Sequence, residues 1–306
     1  IFIMVKYILS CESTSDIRLD YAKKRGISLI ANCFSIGVAE YQDSMGQDPN
    51  EISEIVKALK GPASGRPSTR PIDETTYYEY FKGLLEQGYN ILHLTLSTGL
   101  TDGYENAIKA AKKLNVLYPN NHVEVIDSLC GAGGYGILVD DVKDYMEQGH
   151  EDVKDLVAYI MENRLKMHHV FYCTDLSHFR KSGYISFAKS AIGTLFNFNI
   201  LLMLNSDGKI VQVDKIRHEE EAREWLCKKM EFLADNGEKY MGKVWICHVD
   251  NPDGADELEK LIKANFPNIR TEINVQPFDP TISSHVGPGC VGVFFHGCDR
   301  KKYGNA

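Results

Sequence analysis

The sequence has no C-x-x-C pair, no tight Cys/His cluster and no apolar run long enough to span a membrane. Each absence removes a class of protein. Lacking paired spacing, the eight cysteines (Cys11, Cys33, Cys130, Cys173, Cys227, Cys247, Cys290 and Cys298) read as reduced core thiols of a cytoplasmic protein, not as a disulfide framework or a zinc site. Ile1 to Ser10, ahead of Cys11, superficially resembles a lipoprotein signal, but it has one lysine, no basic leader and too short an apolar run. It reads as a first strand, with Ile1 to Ile3 upstream of a natural start at Met4, and no stable membrane insertion is expected.

Positive charge is also scarce. Lys and Arg number 34 against 42 Asp and Glu, a net charge of -8, which argues against nucleic acid as the main partner. The basic runs Arg180-Lys181 and Arg300 to Lys302 are too short to change this. An anionic ligand must then be met by a local site and not by the global field. G-x-S-x-G, H-E-x-x-H and P-loop patterns are missing as well. His168 and His169 are adjacent and face opposite sides of a strand, poor geometry for two metal ligands, so no metal and no cofactor are expected.

What is present is an ordinary globular composition, 43% hydrophobic, over 306 residues, a length that favours two domains. In the first half, short apolar runs at 6–9, 28–34, 91–96 and 122–126 alternate with helical spacing at 51–59, 75–87 and 103–114, the pattern of βαβ units and a parallel sheet. Helices are expected from Gly131 to Met146 and over 152–163, then a boundary near 165. Beyond it, strands at 169–173, 200–204, 210–217, 243–248, 271–275 and 291–295, with helices at 219–235 and 255–265, describe an α+β unit with antiparallel pairing. Asn205-Ser206-Asp207-Gly208 is a hairpin turn, since Asp-Gly supplies positive φ. The fold class is therefore α/β, an N-terminal parallel-sheet domain (1–165) and a C-terminal α+β domain (166–306) with a ligand cleft between them. No internal repeat is evident.

Four constellations carry polar chemistry. Ser97-Thr98-Gly99-Leu100-Thr101-Asp102-Gly103-Tyr104 follows a strand and opens a helix, and its hydroxyls either cap that helix or help hold an anion there. Pro67-Ser68-Thr69-Arg70-Pro71 is expected at a second helix start, with Pro71 in the first turn, and is either a capped loop or part of the same anion site. In Ser283-Ser284-His285-Val286-Gly287-Pro288-Gly289, an imidazole precedes a turn whose glycines permit close backbone approach. Lys215 and Arg217 share one face of a strand, directed at solvent or at a cleft. A rival signal is Gly131-Ala132-Gly133-Gly134-Tyr135-Gly136, which has G-x-G-x-x-G spacing. The acidic residue of a dinucleotide site is not where the next strand would place it, so tight helix packing or close approach to a ligand chain explains the glycines more simply.

Taken in order, these segments resemble the DegV family. The opening Cys11-Glu12-Ser13-Thr14-Ser15-Asp16-Ile17, the Ser68-Thr69-Arg70-Pro71 loop and Ser97 to Tyr104 are similar to its motifs. So are Asp127-Ser128 with the glycine-rich helix start, Phe179 to Ser186, Asp207-Gly208, Lys215-Ile216-Arg217 and the intact His285-Val286-Gly287-Pro288-Gly289. Relative to the family pattern, Ser68 replaces Thr, Thr98 replaces Ser, Asp102 replaces Gly, Tyr184 replaces Arg and Leu204 lies near a usual Pro. The resemblance implies a carrier that clasps one long-chain fatty acid. Its carboxylate would be held by Ser68, Ser97 or Thr98, Arg217 and His285, and would be presented to a separate ATP-dependent fatty acid kinase. It implies an acyl tunnel for which Phe171, Ile185, Phe187, Ile192, Phe196 and Phe198 are candidate walls, with Gly133, Gly134 and Gly287 allowing close backbone approach. The competing class is a cleft enzyme, either a nicotinamide-dependent oxidoreductase or a hydrolase with Ser97 as nucleophile.

Overall fold

The computed structural model describes residues 6–62, 65–174 and 198–303. Four strands, β1 (Tyr7–Glu12), β2 (Ile27–Ile30), β6 (Asn90–Thr95) and β7 (Val123–Asp127), form a parallel sheet in the order β2-β1-β6-β7. Parallel neighbours need crossovers. Here these include α1 (Leu19–Arg25) between β1 and β2, α2 (Glu51–Lys60) and α3 (Glu74–Glu86) before β6, and α4 (Gly103–Leu117) before β7. Alternation along the strands sorts the side chains. Ile91 and Val125 pack under Tyr77, Phe81, Ala110 and Leu114 of α3 and α4, whereas Leu92, Leu94 and Ile126 face α5 (Ala132–Glu147).

The far side of α5 seats on a second sheet of six strands, β10-β9-β8-β13-β11-β12. Its members are β8 (Met167–Cys173), β9 (Asn199–Leu204), β10 (Ile210–Ile216), β11 (Val244–His248), β12 (Asn274–Pro277) and β13 (Val291–His296). All pairings are antiparallel except β11 with β12. Helices Glu219–Leu233 and Pro252–Asn265 cover its other face around Val170, Tyr172, Leu226, Ile246 and Phe295. The layers thus run helices, parallel sheet, α5, six-stranded sheet, helices. A single apolar cluster passes from Leu9 and Leu94 through Leu138 and Val142 to Phe171, Trp245 and Phe294.

Glycine makes that sandwich possible. A Cβ on Gly133 would lie 2.6 Å from the Phe294 ring, one on Gly134 2.3 Å from the His169 imidazole, and one on Gly136 2.3 Å from the Ser15 carbonyl and 2.4 Å from Trp245. The G-x-G-x-x-G run is therefore consumed by helix-on-sheet packing. Tyr135 fixes the helix on its other side, its hydroxyl donating to the Leu94 carbonyl and accepting from the Glu12 N–H.

The structure departs from the sequence reading in several places. The run expected as one strand at 28–34 divides, because Asn32 is diverted to Ser13: its N–H donates to the Ser13 hydroxyl, which donates back to Oδ1. After this break β3 (Cys33–Ile36) joins a small antiparallel sheet, β4-β3-β5, with β4 (Ala39–Gln42) and β5 (Pro67–Thr69). Ser68 and Thr69 thus lie on an edge strand and not at a helix start. Asp73, accepting from the Thr76 N–H, caps α3, so Pro71 lies outside the first turn. The strand expected at 271–275 is shifted to Asn274–Pro277. Ser283 to His285, for which the sequence suggested no element, belong to a short helix, Pro280–Val286, entered through the Asp279 cap and Pro280 in its first turn.

Candidate functional site

An apolar cleft of about 60 Å³ opens between the two sheets. The first half contributes Leu96, Leu100, Gly131 and Ala132; the second contributes Phe171, Leu204, Ile210, Phe278, Ile282, Val286 and Phe294. Three polar side chains reach its lining, His169, Thr281 and His285. His169 is spoken for: its Nε2 accepts from the Gly131 N–H at 3.1 Å, which places the proton on Nδ1, facing the Met167 carbonyl at 3.2 Å. Burial holds this imidazole well below its ordinary pKa, so it stays neutral. The Thr281 hydroxyl is buried with no hydrogen-bond partner among the described residues.

His285 links the two halves. Its Nε2 lies 2.7 Å from the Thr69 Oγ1 on β5. The helix carrying it is tied to the first half at its base, where the Asp279 N–H donates to Asp16 Oδ1 at 2.7 Å and Gln276 Nε2 donates to the Asp16 carbonyl at 2.8 Å. The carboxyls of Asp16 and Asp279 are desolvated together, which raises both pKa values. Gly287, at φ 76°, ends the helix with its N–H on the Ser283 carbonyl.

The other expected residues are placed as follows. Ser68 is exposed on β5, and its neighbour Thr69 is the hydroxyl that meets the imidazole, a consequence of strand alternation. Ser97 is fully buried; its hydroxyl donates to the Gly208 carbonyl at 2.9 Å and accepts from the Gly99 N–H, joining the β9–β10 hairpin turn to the first half. Thr98 is exposed and donates to Asp127 Oδ2 at 2.6 Å. Arg217 is exposed with its guanidinium 5.3 Å from the Phe198 ring centre, beside Lys215 at 4.9 Å, the solvent-facing alternative for this pair. Phe171 lines the cleft, and Gly133 and Gly134 bear on two of its walls, Phe294 and His169. Ile185, Phe187, Ile192 and Phe196, as well as Tyr184, lie outside the described residues.

Besides Thr69, two residues escaped the sequence reading. Thr281 carries no motif signal. Arg300, noted only as part of a short basic run, is 4% exposed and donates to the carbonyls of Asn205, Leu129 and Arg164, holding the hairpin turn against the 129–131 loop that borders the cleft. Among the described residues no group of three or more His, Cys, Asp or Glu is arranged to hold a metal ion, and no helix is long and apolar enough to cross a membrane.

Two sheets clasping one glycine-faced helix, with a nearly all-apolar cleft that ends at a histidine and a hydroxyl, define a class of two-sheet α/β protein with an apolar cleft between its halves. The family comparison agrees: residues 9–297 match the model of the DegV family, described as uncharacterised proteins, and the chain belongs to that family. It is 25% identical over 300 residues to a protein of Thermotoga maritima named fatty acid-binding protein, covering 97% of this chain and 100% of that one. A DegV domain-containing protein of Clostridium perfringens is 25% identical over 294 residues, 96% of this chain and 98% of its own. Solved structures share the fold. A DegV family protein of Eubacterium eligens loaded with heptadecanoic acid superposes with a TM-score of 0.81 at 20% identity, covering 95% of this chain and all of that one. A stearic acid-binding protein of Eubacterium ventriosum gives 0.81 at 20%, covering 97% and 99%.

Proposed function

We propose that this chain is a non-catalytic cytoplasmic carrier that holds one long-chain fatty acid, with its carboxylate at Thr69 and His285 and its acyl chain in the apolar cleft. The observation that carries this reading is the 2.7 Å contact between Thr69 and His285 at the edge of a lining otherwise made of Leu, Ile, Val and Phe. A hydroxyl and an imidazole together can donate to a carboxylate that would be costly to bury unpaired. Transfer of ~16 methylenes at about 0.8 kcal/mol each then drives the tail inward. Pockets for such ligands ordinarily measure about 300–1,000 Å³. At about 60 Å³ the cleft holds a tail only after its walls part, so uptake involves movement of the two halves, the proposed domains 1–165 and 166–306.

Thr69 takes the role first assigned to Ser68. Ser97 joins the head-group site only by surrendering the Gly208 carbonyl, and Thr98 only by leaving Asp127. Arg217 would have to swing from Phe198. The enzyme alternatives draw less support. The glycines of the dinucleotide-like run are filled by Phe294, His169 and Trp245, and among the described residues the bonds of Ser97 go to backbone and no imidazole is positioned as its base. In this reading the exposed carboxylate is the substrate of a separate ATP-dependent fatty acid kinase, and the chain alone turns over no ATP.

Native mass spectrometry of the purified protein tests the proposal. A co-purifying long-chain acid, or stoichiometric uptake of added palmitate or oleate by delipidated protein, is the expected result. Steady ATP hydrolysis by the chain, or failure to take up either acid, sinks it.

A further inference from the structure

We propose that Cys173 and Cys290 are a redox-sensitive pair that closes to a disulfide and bolts the His285 turn to the wall of the cleft. Cys173 is the last residue of β8, and Cys290 immediately precedes β13. The ladder pairs Tyr172 with Val291, so the next rung sets Cys173 against Cys290 across two antiparallel strands. Their sulfurs lie 3.1 Å apart, and both side chains are buried. Neighbouring antiparallel Cα atoms, about 4.5–5.5 Å apart, fall within the span a disulfide bridges, and bonding brings the sulfurs closer by about 1 Å. No other two cysteines are paired by the described contacts.

The surroundings make the pair consequential. Thr174, exposed, donates to the Pro288 carbonyl, and its side chain fills the space beside Gly289, where a Cβ would lie 2.7 Å from the Thr174 hydroxyl. Gly289 itself has φ 85°. Residues 173–174 therefore already clamp 288–290, three residues beyond His285. Cys173 also shares a strand face with Phe171, a wall of the cleft. A covalent bond here fixes that wall to the Gly-Pro-Gly turn. Access comes from the strand ends: Thr174 and Gly289 are both at or near the surface, so fraying of one rung uncovers the thiols.

The oxidant is a peroxide. One thiol attacks hydrogen peroxide, the O–O bond breaks, and a sulfenic acid and one water form. The second thiol then attacks that sulfur, releasing a second water as the S–S bond forms, so two thiols are oxidised while one peroxide is reduced to two waters.

The test is titration of the whole protein with hydrogen peroxide, followed by thiol counting in denaturant, non-reducing peptide mapping and hydrogen exchange. The thiol count is expected to fall from eight by two. The peptide carrying Cys173 should be linked to that carrying Cys290, dithiothreitol should restore both thiols, and the amides of 287–290 should exchange more slowly once oxidised. Cys173→Ala and Cys290→Ala should each abolish the link; if one fails to fold, the other and the wild-type map still decide. Linkage of any other pair, conversion to sulfinic acid without a cross-link, or unchanged exchange at 287–290 overturns the proposal.

Discussion

At the scale of single residues, Thr69 and His285 meet at the edge of an apolar cleft, and their removal should be felt by the head group alone. Thr69→Val and His285→Ala are each expected to weaken fatty acid binding about 10-fold or more, the loss of one hydrogen bond to a charged group, while Ser68→Ala leaves it unchanged. Displacement of a fluorescent fatty acid reads all three, and equal loss in Ser68→Ala would return the role to that residue. A second residue-level consequence concerns Glu12. Its carboxyl is buried at the end of β1, accepting from the Tyr77 hydroxyl, the Leu96 N–H and the Thr14 hydroxyl, and burial pushes its pKa up from 4.5 to about 7. Between those values the folded chain keeps a proton that the unfolded chain has released. The associated stability is complete below about 4.5 and is lost as pH rises through 7. His93, pushed down to about 3 by burial, acts oppositely, losing stability as pH falls below 6.5. The difference between wild type and Glu12→Gln in urea unfolding isolates the carboxyl. Relative to the variant, wild type should lose about 1–3 kcal/mol between pH 5 and pH 8. A pH-independent difference would contradict the assignment.

At the scale of elements, α5 is the keystone, and its glycines separate packing from propensity. Gly134→Ala would drive a Cβ into an imidazole that is held at both ring nitrogens, and is expected to destabilise by about 1–3 kcal/mol. Gly83→Ala in α3 meets nothing within 4 Å and should stabilise by up to about 1 kcal/mol. Thermal unfolding of the two variants should therefore move in opposite directions. The same contrast explains what could be read from sequence. The long helices and the parallel strands were legible because their apolar residues repeat locally, as at Leu92, Leu94 and Leu96. The β3–β5 sheet was not, because β4 is exposed throughout and β5 pairs with β3 across more than thirty residues, so neither shows a buried alternation of its own. Pro71 misled because Asp73, two residues on, competes for the cap and wins. For the site, the sequence reading named His285 and Phe171, which lie on the cleft lining, and Ser68, whereas Thr69 is the hydroxyl set against His285, and which of the two neighbours faces the imidazole was not legible. That choice is the parity of an edge strand, invisible until its partner is known. Arg300 was hidden for a related reason, since its three carbonyl partners come from three separate segments of the chain.

At the scale of the molecule, the two sheets touch through α5, the Ser97–Gly208 clasp, the Arg300 contacts and the Asp16–Asp279 junction, while the cleft lies between these ties. A ligand placed there contacts both halves and binds the folded chain alone, so it must raise global stability. With free acid at about 100 times its dissociation constant the gain is about 2.7 kcal/mol. Delipidated protein is expected to melt several degrees below protein resupplied with palmitate. The head group sets the selectivity. The methyl ester of palmitate keeps the tail but loses the charge that Thr69 and His285 would meet, and should restore only a small part of the shift. In His285→Ala, acid and ester should become nearly equivalent. If the ester stabilises wild type as well as the acid does, the carboxylate is not held at this pair and the cleft recognises tails alone.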